Sequence, residues 1–400
     1  DGSSTGPADA KHTVKVNSPG GLSYIVTHPG DVGLARAWVT DGLAVEGAHL
    51  AHPYDVFDDM RTLYNNYKRP NPRELVRIAR SLRSMGALQI QPIPEAEQAS
   101  WLERTIRQGL APHSKERDAQ VISSHYDVGN DFYELFLGES MAYTCAYYPT
   151  PDATLDEAQE NKFRLVFEKM NLKPGDRHLD VGCGWGYTMM RAIERYDVNV
   201  VGLTLSENQF AHVQKAFEDL DSARSRRVLL QGWEQFDEPV DRIVSIGAFE
   251  HFGRDRYDDF FTMAYDALPA DGTMMLHTIV KPDDEEFAER GLPVTMTKLR
   301  FFKFIMDEIY PGGRLPLGSM VKEHAVKAGY TVTREQHLQP HYVKTLDTWA
   351  ANLEAKKDEA IAITNEEIYE RFHKYLAGCA DLFREGYTDV CQYTCEKAPA

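Results

Sequence analysis

Residues 156 to 279 predict an α/β fold, a mostly parallel sheet with helices on both faces. Three observations carry this. Strand-like apolar runs alternate with helix-like runs, the pattern of parallel strands joined by crossover helices. One run ends in His178-Leu179-Asp180-Val181-Gly182-Cys183-Gly184-Trp185-Gly186, an acid followed by three glycines at alternate positions. Such a segment turns a buried strand sharply into a helix and leaves room for a ligand, because each glycine removes a Cβ and the helix beyond opens with unpaired N–H groups. The next run, 199–204, leads into Ser206, a good N-cap that starts another helix after another strand.

Taken in order, 156–170 reads as a helix and 177–181 as strand one. The segment 187–196 is a helix, 199–204 strand two and 206–220 the helix that Ser206 caps. Strand three is 227–230 and strand four 241–246. A helix over 256–268 leads to strand five, 272–279. Ligands of such sheets bind beyond the carboxyl ends of the strands. The ends of strands one, two, four and five, Ile246 among them, are therefore expected to share one cleft. Long helices rich in Tyr, Phe and Trp are expected over 346–358 and 365–386, as a lid or an apolar wall.

The N-terminal part reads differently. Residues 1–20 are polar and rich in Gly, Ser, Pro and Lys, the composition of a loose lead-in. Over 22–47, short apolar runs alternate with Gly and Asp turns. Helices are expected over 52–67, 72–85 and 101–108, with a connector over 87–100 that carries Pro92 and Pro94. The expected organisation is a smaller N-terminal α+β domain, 1–115, followed by a larger domain, 116–400. Neither internal repeats nor low-complexity tracts are evident.

Composition sets bounds. The chain has 400 residues, 42% hydrophobic and 26% charged, as in a soluble globular protein. No apolar stretch approaches the roughly 18 residues of a membrane-spanning helix. The net charge of −17 argues against nucleic-acid binding. Charge is uneven, however: residues 61–120 carry 11 Lys/Arg and 6 Asp/Glu. In 72–85, Leu75, Ile78, Ala79, Leu82 and Met85 share one helical face, with Arg73, Arg77, Arg80 and Arg83 beside it. A basic amphipathic helix suits an anionic membrane surface, and equally suits packing on its own domain. The five cysteines, at 145, 183, 379, 391 and 395, form no C-x-x-C and fit a reducing cytoplasm. No zinc spacing and no G-x-S-x-G elbow occurs, so neither a metal centre nor serine hydrolysis is expected.

The glycine loop is G-x-G-x-G, not the G-x-G-x-x-G of dinucleotide enzymes, and no carboxylate ends strand two about 20 residues later. It resembles the first motif of class I S-adenosylmethionine-dependent methyltransferases, which have a Rossmann-like fold. Further segments join it. His125-Tyr126-Asp127-Val128-Gly129-Asn130-Asp131-Phe132-Tyr133 leads into Tyr143-Thr144-Cys145-Ala146-Tyr147-Tyr148. Gly202-Leu203-Thr204-Leu205-Ser206 precedes Gln209. Then come Gly232-Trp233-Glu234, Gly247-Ala248-Phe249-Glu250-His251-Phe252-Gly253 and Leu276-His277-Thr278-Ile279. Together they strongly resemble the cyclopropane fatty acid synthase family, including the mycolic acid methyltransferases of mycobacteria, over roughly residues 120–397. The N-terminal 110 residues match the extra domain of the phospholipid-acting members.

The resemblance implies S-adenosylmethionine as methyl donor. Tyr143 and Thr144 would hold its carboxylate and amine end. Gly182, Gly184 and Gly186 would line its methionine and ribose, with Asp180 and Ile246 beside them. Thr204 and Gln209 would hold ribose and adenine, and Trp233 and Glu234 would flank the adenine. It further implies a bound bicarbonate as base, cradled by Cys145, Glu250, His277, Tyr342 and the Ile279 backbone. On its own Cys145 reads as inert core, His277 as a satisfied buried histidine and His251 as structural. The implied substrate is an unsaturated phospholipid acyl chain at the inner face of the cell membrane. Attack of the alkene on the methyl leaves a carbocation, which dry walls and aromatic faces would shield; Tyr143, Tyr147, Phe249, Phe252, Phe301 and Phe302 are candidates. Proton loss from the transferred methyl gives a cyclopropane. Loss from the chain gives a 10-methylene precursor for a downstream reductase. A homodimer is expected from related enzymes. The rival readings are a lipid-binding protein without catalysis and a small-molecule methyltransferase.

Overall fold

The structure is a computed structural model. It describes residues 12–28, 33, 36–37, 40, 42–46, 71–92, 128–293, 298, 301–302, 304–305, 309 and 315–398. The chain divides into two compact units, Asp1–Ala111 and Pro112–Ala400. The helices expected over 52–67 and 101–108, most of the 87–100 connector and His125 lie outside the described residues.

In the first unit, β1 (Thr13–Val16) pairs antiparallel with β2 (Leu43–Glu46), joining Thr13 to Glu46 and Val16 to Leu43. Between them runs α1 (Pro19–Thr27), whose N-cap Ser18 accepts from the Gly21 N–H at 3.2 Å. The loose lead-in expected over 1–20 is therefore corrected at its end: Thr-Val-Lys-Val is a strand, and Ser-Pro is a helix start. The strand–helix crossing is tight. A Cβ on Gly21 would sit 2.3 Å from the Gly42 carbonyl oxygen. Helix α2 (Pro72–Ser84) begins with a capping box, Asn71 accepting from the Glu74 N–H at 3.0 Å and Glu74 from the Asn71 N–H at 2.9 Å. Its apolar residues remain in solvent: Leu75 is 52% exposed, Ile78 38% and Met85 47%.

Among its described residues the second unit begins with α3 (Asn130–Leu137), which buries Phe132, Tyr133 and Phe136. Then α4 (Leu155–Met170), β3 (Arg177–Val181), α5 (Tyr187–Tyr196), β4 (Asn199–Thr204), α6 (Glu207–Asp219), β5 (Arg226–Leu230) and β6 (Arg242–Ile246) follow the expected alternation. After α7 (Tyr257–Ala267) and β7 (Thr273–Val280) come α8 (Asp284–Glu289), α9 (Gly318–Lys327), β8 (Tyr330–His337), α10 (Gln339–Ala355), α11 (Lys357–Ile363), α12 (Glu366–Arg384) and β9 (Asp389–Lys397). The expected helix over 346–358 is thus two helices, broken at Lys356.

Among the described residues the sheet has seven strands in the order β5-β4-β3-β6-β7-β9-β8. Strands β3 to β7 are parallel; β9 is antiparallel to both β7 and β8. The central strands β3, β6 and β7 are buried almost throughout, as helices on both faces require. Strand β9 was not anticipated, although Val390, Tyr393 and Thr394 are residue types that favour strands. Both of its faces are buried, which removes the polar alternation that marks a half-exposed strand. Its insertion brings α10 and α12 against the sheet's carboxyl edge: Leu338, at the entry to α10, donates its N–H to the Val390 carbonyl at 2.8 Å.

Candidate active site

Beyond the carboxyl ends of β3, β4 and β6 lies a first void of about 1120 Å³. Gly184 has φ +54° and faces open space, while a Cβ on Gly186 would meet Val213 at 2.9 Å. Gly184 thus leaves room for a ligand and Gly186 for helix packing. Tyr143, Thr144, Asp180, Gly182, Gly184 and Thr204 line this void, and so do Gln209, Trp233, Glu234 and Ile246. The sequence-expected donor positions therefore converge on one void, except that Gly186 sits behind it.

Local hydrogen bonds fix the shape. Thr204 Oγ1 donates to Gln209 Oε1 at 2.8 Å and accepts from the Ser206 N–H at 3.1 Å. Glu234 Oε1 accepts from Arg256 Nη1 at 2.5 Å. The Trp233 indole packs edge-on to Phe260, with centroids 5.5 Å apart. Gln159 Nε2 donates to the Ala142 and Thr144 carbonyls at 3.2 and 2.8 Å, which anchors the Tyr143–Thr144 segment to α4.

Buried charge marks the floor. Burial pushes the Asp180 carboxyl up to about 7, with Lys162 pulling the other way. Burial pushes the Lys162 ammonium down to about 7. Neither Asp180 Oδ2 nor Lys162 Nζ has a hydrogen-bond partner among the described residues. Lys162 instead lies over the Phe163 ring, 3.5 Å from its centroid. No sequence motif pointed to Lys162 or Gln159; both look like ordinary residues of an amphipathic helix.

A second void, of about 980 Å³, shares Tyr143, Thr144, Gly247 and His251 with the first. Phe302, Ile305, Leu315, Leu382 and Phe383 give it apolar walls. Glu250, His277, Ile279 and Tyr342 meet there. Glu250 stands on the short turn Phe249–His251 and is 6% exposed. Its Oε1 accepts from the Ile279 N–H at 2.5 Å, and its Oε2 has no partner among the described residues. Burial pushes this carboxyl up to about 7, against the pull of that backbone donor. His277 sits within β7, with Nε2 3.4 Å from Thr144 Oγ1. Burial, together with Lys162 and Lys169, pushes the His277 imidazole well down, so it is neutral.

Cys145 is fully buried but is not part of this lining. Its thiol contacts the Ala146 and Leu338 carbonyls at 3.2 and 3.9 Å, and burial pushes it upward, so it is protonated at neutral pH. Of the candidate cation-shielding aromatics, Tyr143 and Phe302 line the second void and Phe252 the first. Phe249 instead stacks on Tyr257 in the core, at 4.1 Å. Tyr147 packs against His341 at 4.6 Å and Phe301 against Phe304 at 5.8 Å. His251, read as structural, lines both voids. Away from both, Glu335, His337 and Cys391 bring ligand-type atoms within 4.8 Å of one another. Two strands supply them, so no sequence spacing reveals the group; His337 already bonds Asp389 at 2.7 Å and Glu335 pairs with Lys322 at 3.1 Å.

The Rossmann-like sheet, the glycine turn and the void at the strand ends define a class I S-adenosylmethionine-dependent methyltransferase. Comparison with known proteins specifies it further. The family model described as mycolic acid cyclopropane synthetase matches residues 113–393. Cyclopropane mycolic acid synthase 1 of Mycobacterium tuberculosis is 60% identical over 276 residues, 69% of this chain and 96% of that protein. The solved structure of the cyclopropane synthase MmaA2 from Mycobacterium tuberculosis is 57% identical, with a TM-score of 0.69 over 70% of this chain and 98% of that one. That of mycolic acid cyclopropane synthase CmaA1 complexed with SAH and CTAB is 58% identical, with a TM-score of 0.68 over 72% of this chain and 100% of that one. The chain therefore belongs to the mycolic acid cyclopropane synthetase family.

Proposed function

We propose that this enzyme moves a one-carbon unit from S-adenosylmethionine to the cis double bond of phospholipid acyl chains and closes a cyclopropane ring. One observation carries the reading most: an apolar chamber shares a wall with the donor void and holds a buried, half-partnered carboxylate beside a neutral imidazole. In the first void, Asp180 suits the donor's ammonium, the open side of Gly184 its body and Trp233 its adenine. Tyr143 and Thr144, common to both voids, stand where the reactive methyl would meet the chain. The alkene's electron pair forms the new C–C bond as the S–C bond breaks, and the positive charge passes to the chain. Loss of a proton from the added methyl then closes the ring. Apolar walls keep water from the cation, and the Tyr143 ring offers it a negative face.

The chain's residues fit a small anion with its own hydrogen, of which hydrogencarbonate is the simplest. Glu250 Oε2 needs a donor, while His277 and the Tyr342 hydroxyl can donate. When bound there, bicarbonate would supply the base for the leaving proton. Glu250 orients it, and His277, Tyr342 and the Ile279 backbone fix the rim. Cys145 supports the wall near Tyr342 from behind.

The membrane part of the reading rests on α2. Four arginines flank exposed Leu75, Ile78 and Met85, the arrangement that lies on anionic lipid. Among the described residues no helix is long and apolar enough to cross a membrane.

The test is incubation with methyl-labelled donor and oleoyl-phospholipid vesicles, followed by mass spectrometry and reduction of the product. A labelled chain that has gained one CH2 and resists reduction is expected. A labelled chain that still takes up hydrogen would replace the ring by a methylene group, and no label in lipid would defeat the proposal.

A further inference from the structure

Behind the second void, three adjacent strands carry a row of side chains. His277 on β7 is in register with Gln392 on β9, and Gln392 with Gln336 on β8. Residues directly opposite on neighbouring strands share a sheet face, and Lys169 of α4 reaches this one. Lys169 Nζ lies 2.7 Å from Gln336 Oε1 and 2.5 Å from Gln392 Oε1. Gln392 Nε2 lies 3.1 Å from His277 Nδ1. The opposite edge of the ring, at Nε2, faces Thr144 and the chamber. Gln392 is fully buried, with His277 2% and Lys169 8% exposed.

With Lys169 as an ammonium, the order of donors along this row has one solution, because an ammonium only donates. The Gln392 oxygen must therefore face Lys169, and its NH2 must face His277. An NH2 group only donates, so His277 Nδ1 is the acceptor and the ring's single hydrogen is on Nε2. The other tautomer would place two donors against each other at Gln392 and a lone pair toward the chamber, where it would repel an anion. Choice of tautomer by the partner of the remote nitrogen is a general property of histidine.

We propose that Gln392, itself oriented by Lys169, is a positioning residue that locks His277 in the Nε2–H tautomer and so makes it a hydrogen-bond donor to the anion of the second void. The sequence motifs did not include Gln392 or Lys169. The inference deepens the function proposed above and rests on it for the identity of the anion, but the tautomer itself does not depend on that identity.

The test is long-range proton–nitrogen correlation on full-length protein with nitrogen-15 histidine, the His277 signals being those lost in His277→Gln. The expected wild-type pattern is one protonated nitrogen, Nε2. Gln392→Glu turns the donor into an acceptor and should move the hydrogen to Nδ1, with kcat falling about tenfold or more and donor affinity unchanged. Gln392→Met removes the donor without adding charge and should give a mixture of tautomers with a smaller loss of kcat; it stands in if the glutamate variant fails to fold. A wild-type ring protonated at Nδ1, or a pattern and kcat unmoved by both substitutions, would overturn the proposal. Adding bicarbonate to depleted enzyme separates the two ideas: the expected tautomer with turnover indifferent to bicarbonate upholds the lock and defeats only the anion's assignment.

Discussion

The two voids of the larger unit were built by different means. The first is made by consecutive strand ends, with its key turn inside nine residues of sequence, 178–186. The second gathers Glu250 from the turn after β6, His277 and Ile279 from β7, Tyr342 from α10 and Phe383 from α12. One is a local consequence of strand–turn–helix geometry. The other exists only when β9 has slotted between β7 and β8 and carried two helices over the sheet's edge. A site of the first kind binds; a site of the second kind can place a carboxylate, an imidazole and apolar walls together because distant segments each bring one of them.

That contrast can be broken by substitution. The largest effect is expected at Glu250. Glu250→Gln keeps the side chain's shape and removes the carboxylate beside the chamber. Turnover on oleoyl vesicles should fall about a hundredfold or more, while donor affinity by calorimetry stays within about threefold. Next comes docking of the substrate surface. Arg77→Glu with Arg80→Glu should weaken binding to anionic vesicles by about thirtyfold, at roughly 1 kcal/mol per basic residue lost, without changing donor affinity; equal vesicle binding would remove α2 from the account. Gly184→Val puts a branched side chain where φ is +54° and the void opens. Donor affinity should fall about tenfold or more because the side chain fills space left for the donor, while the positive φ costs stability.

The smallest effect is on stability. Burial raises the Glu250 carboxyl from 4.5 to about 7. Between those values the folded chain binds more protons than the unfolded one, so this group's stability is lost as pH rises toward 7. Between pH 5 and pH 8 the wild type should lose about 2 kcal/mol more than Glu250→Gln, a few degrees in Tm. Equal losses in the two proteins would mean that Glu250 has an ordinary carboxylate in the fold.

The same contrast explains what the sequence made legible. Strands β3, β4, β6 and β7 and the helices between them could be read from apolar period and capping, because each is local. The residues expected to hold the donor were named through family resemblance, and those of the glycine turn follow directly from the end of β3. Gly186 was misjudged as lining because sequence shows that a Cβ must be absent but not what it would touch. Strand β9 escaped because both of its faces are buried, and with it went Gln392 and the split of the expected 346–358 helix. Lys162 and Gln159 escaped because nothing in a helical pattern distinguishes a buried polar residue from an exposed one. Glu250, His277 and Tyr342 were named through family resemblance; no periodicity would have joined positions so far apart. The strand β1 and the Ser18 cap were hidden in a segment whose composition suggested disorder.

We propose that donor binding and proton handling are divided between the two voids. The most direct measurement is a crossed one: donor affinity and vesicle turnover for Glu250→Gln and Gly184→Val side by side at saturating donor. The expected result is that Glu250→Gln loses turnover with donor affinity kept, and that Gly184→Val loses donor affinity while saturating donor restores most of its turnover. If both variants lost donor affinity and turnover in step, the two voids would be one site and the division drawn here would be wrong.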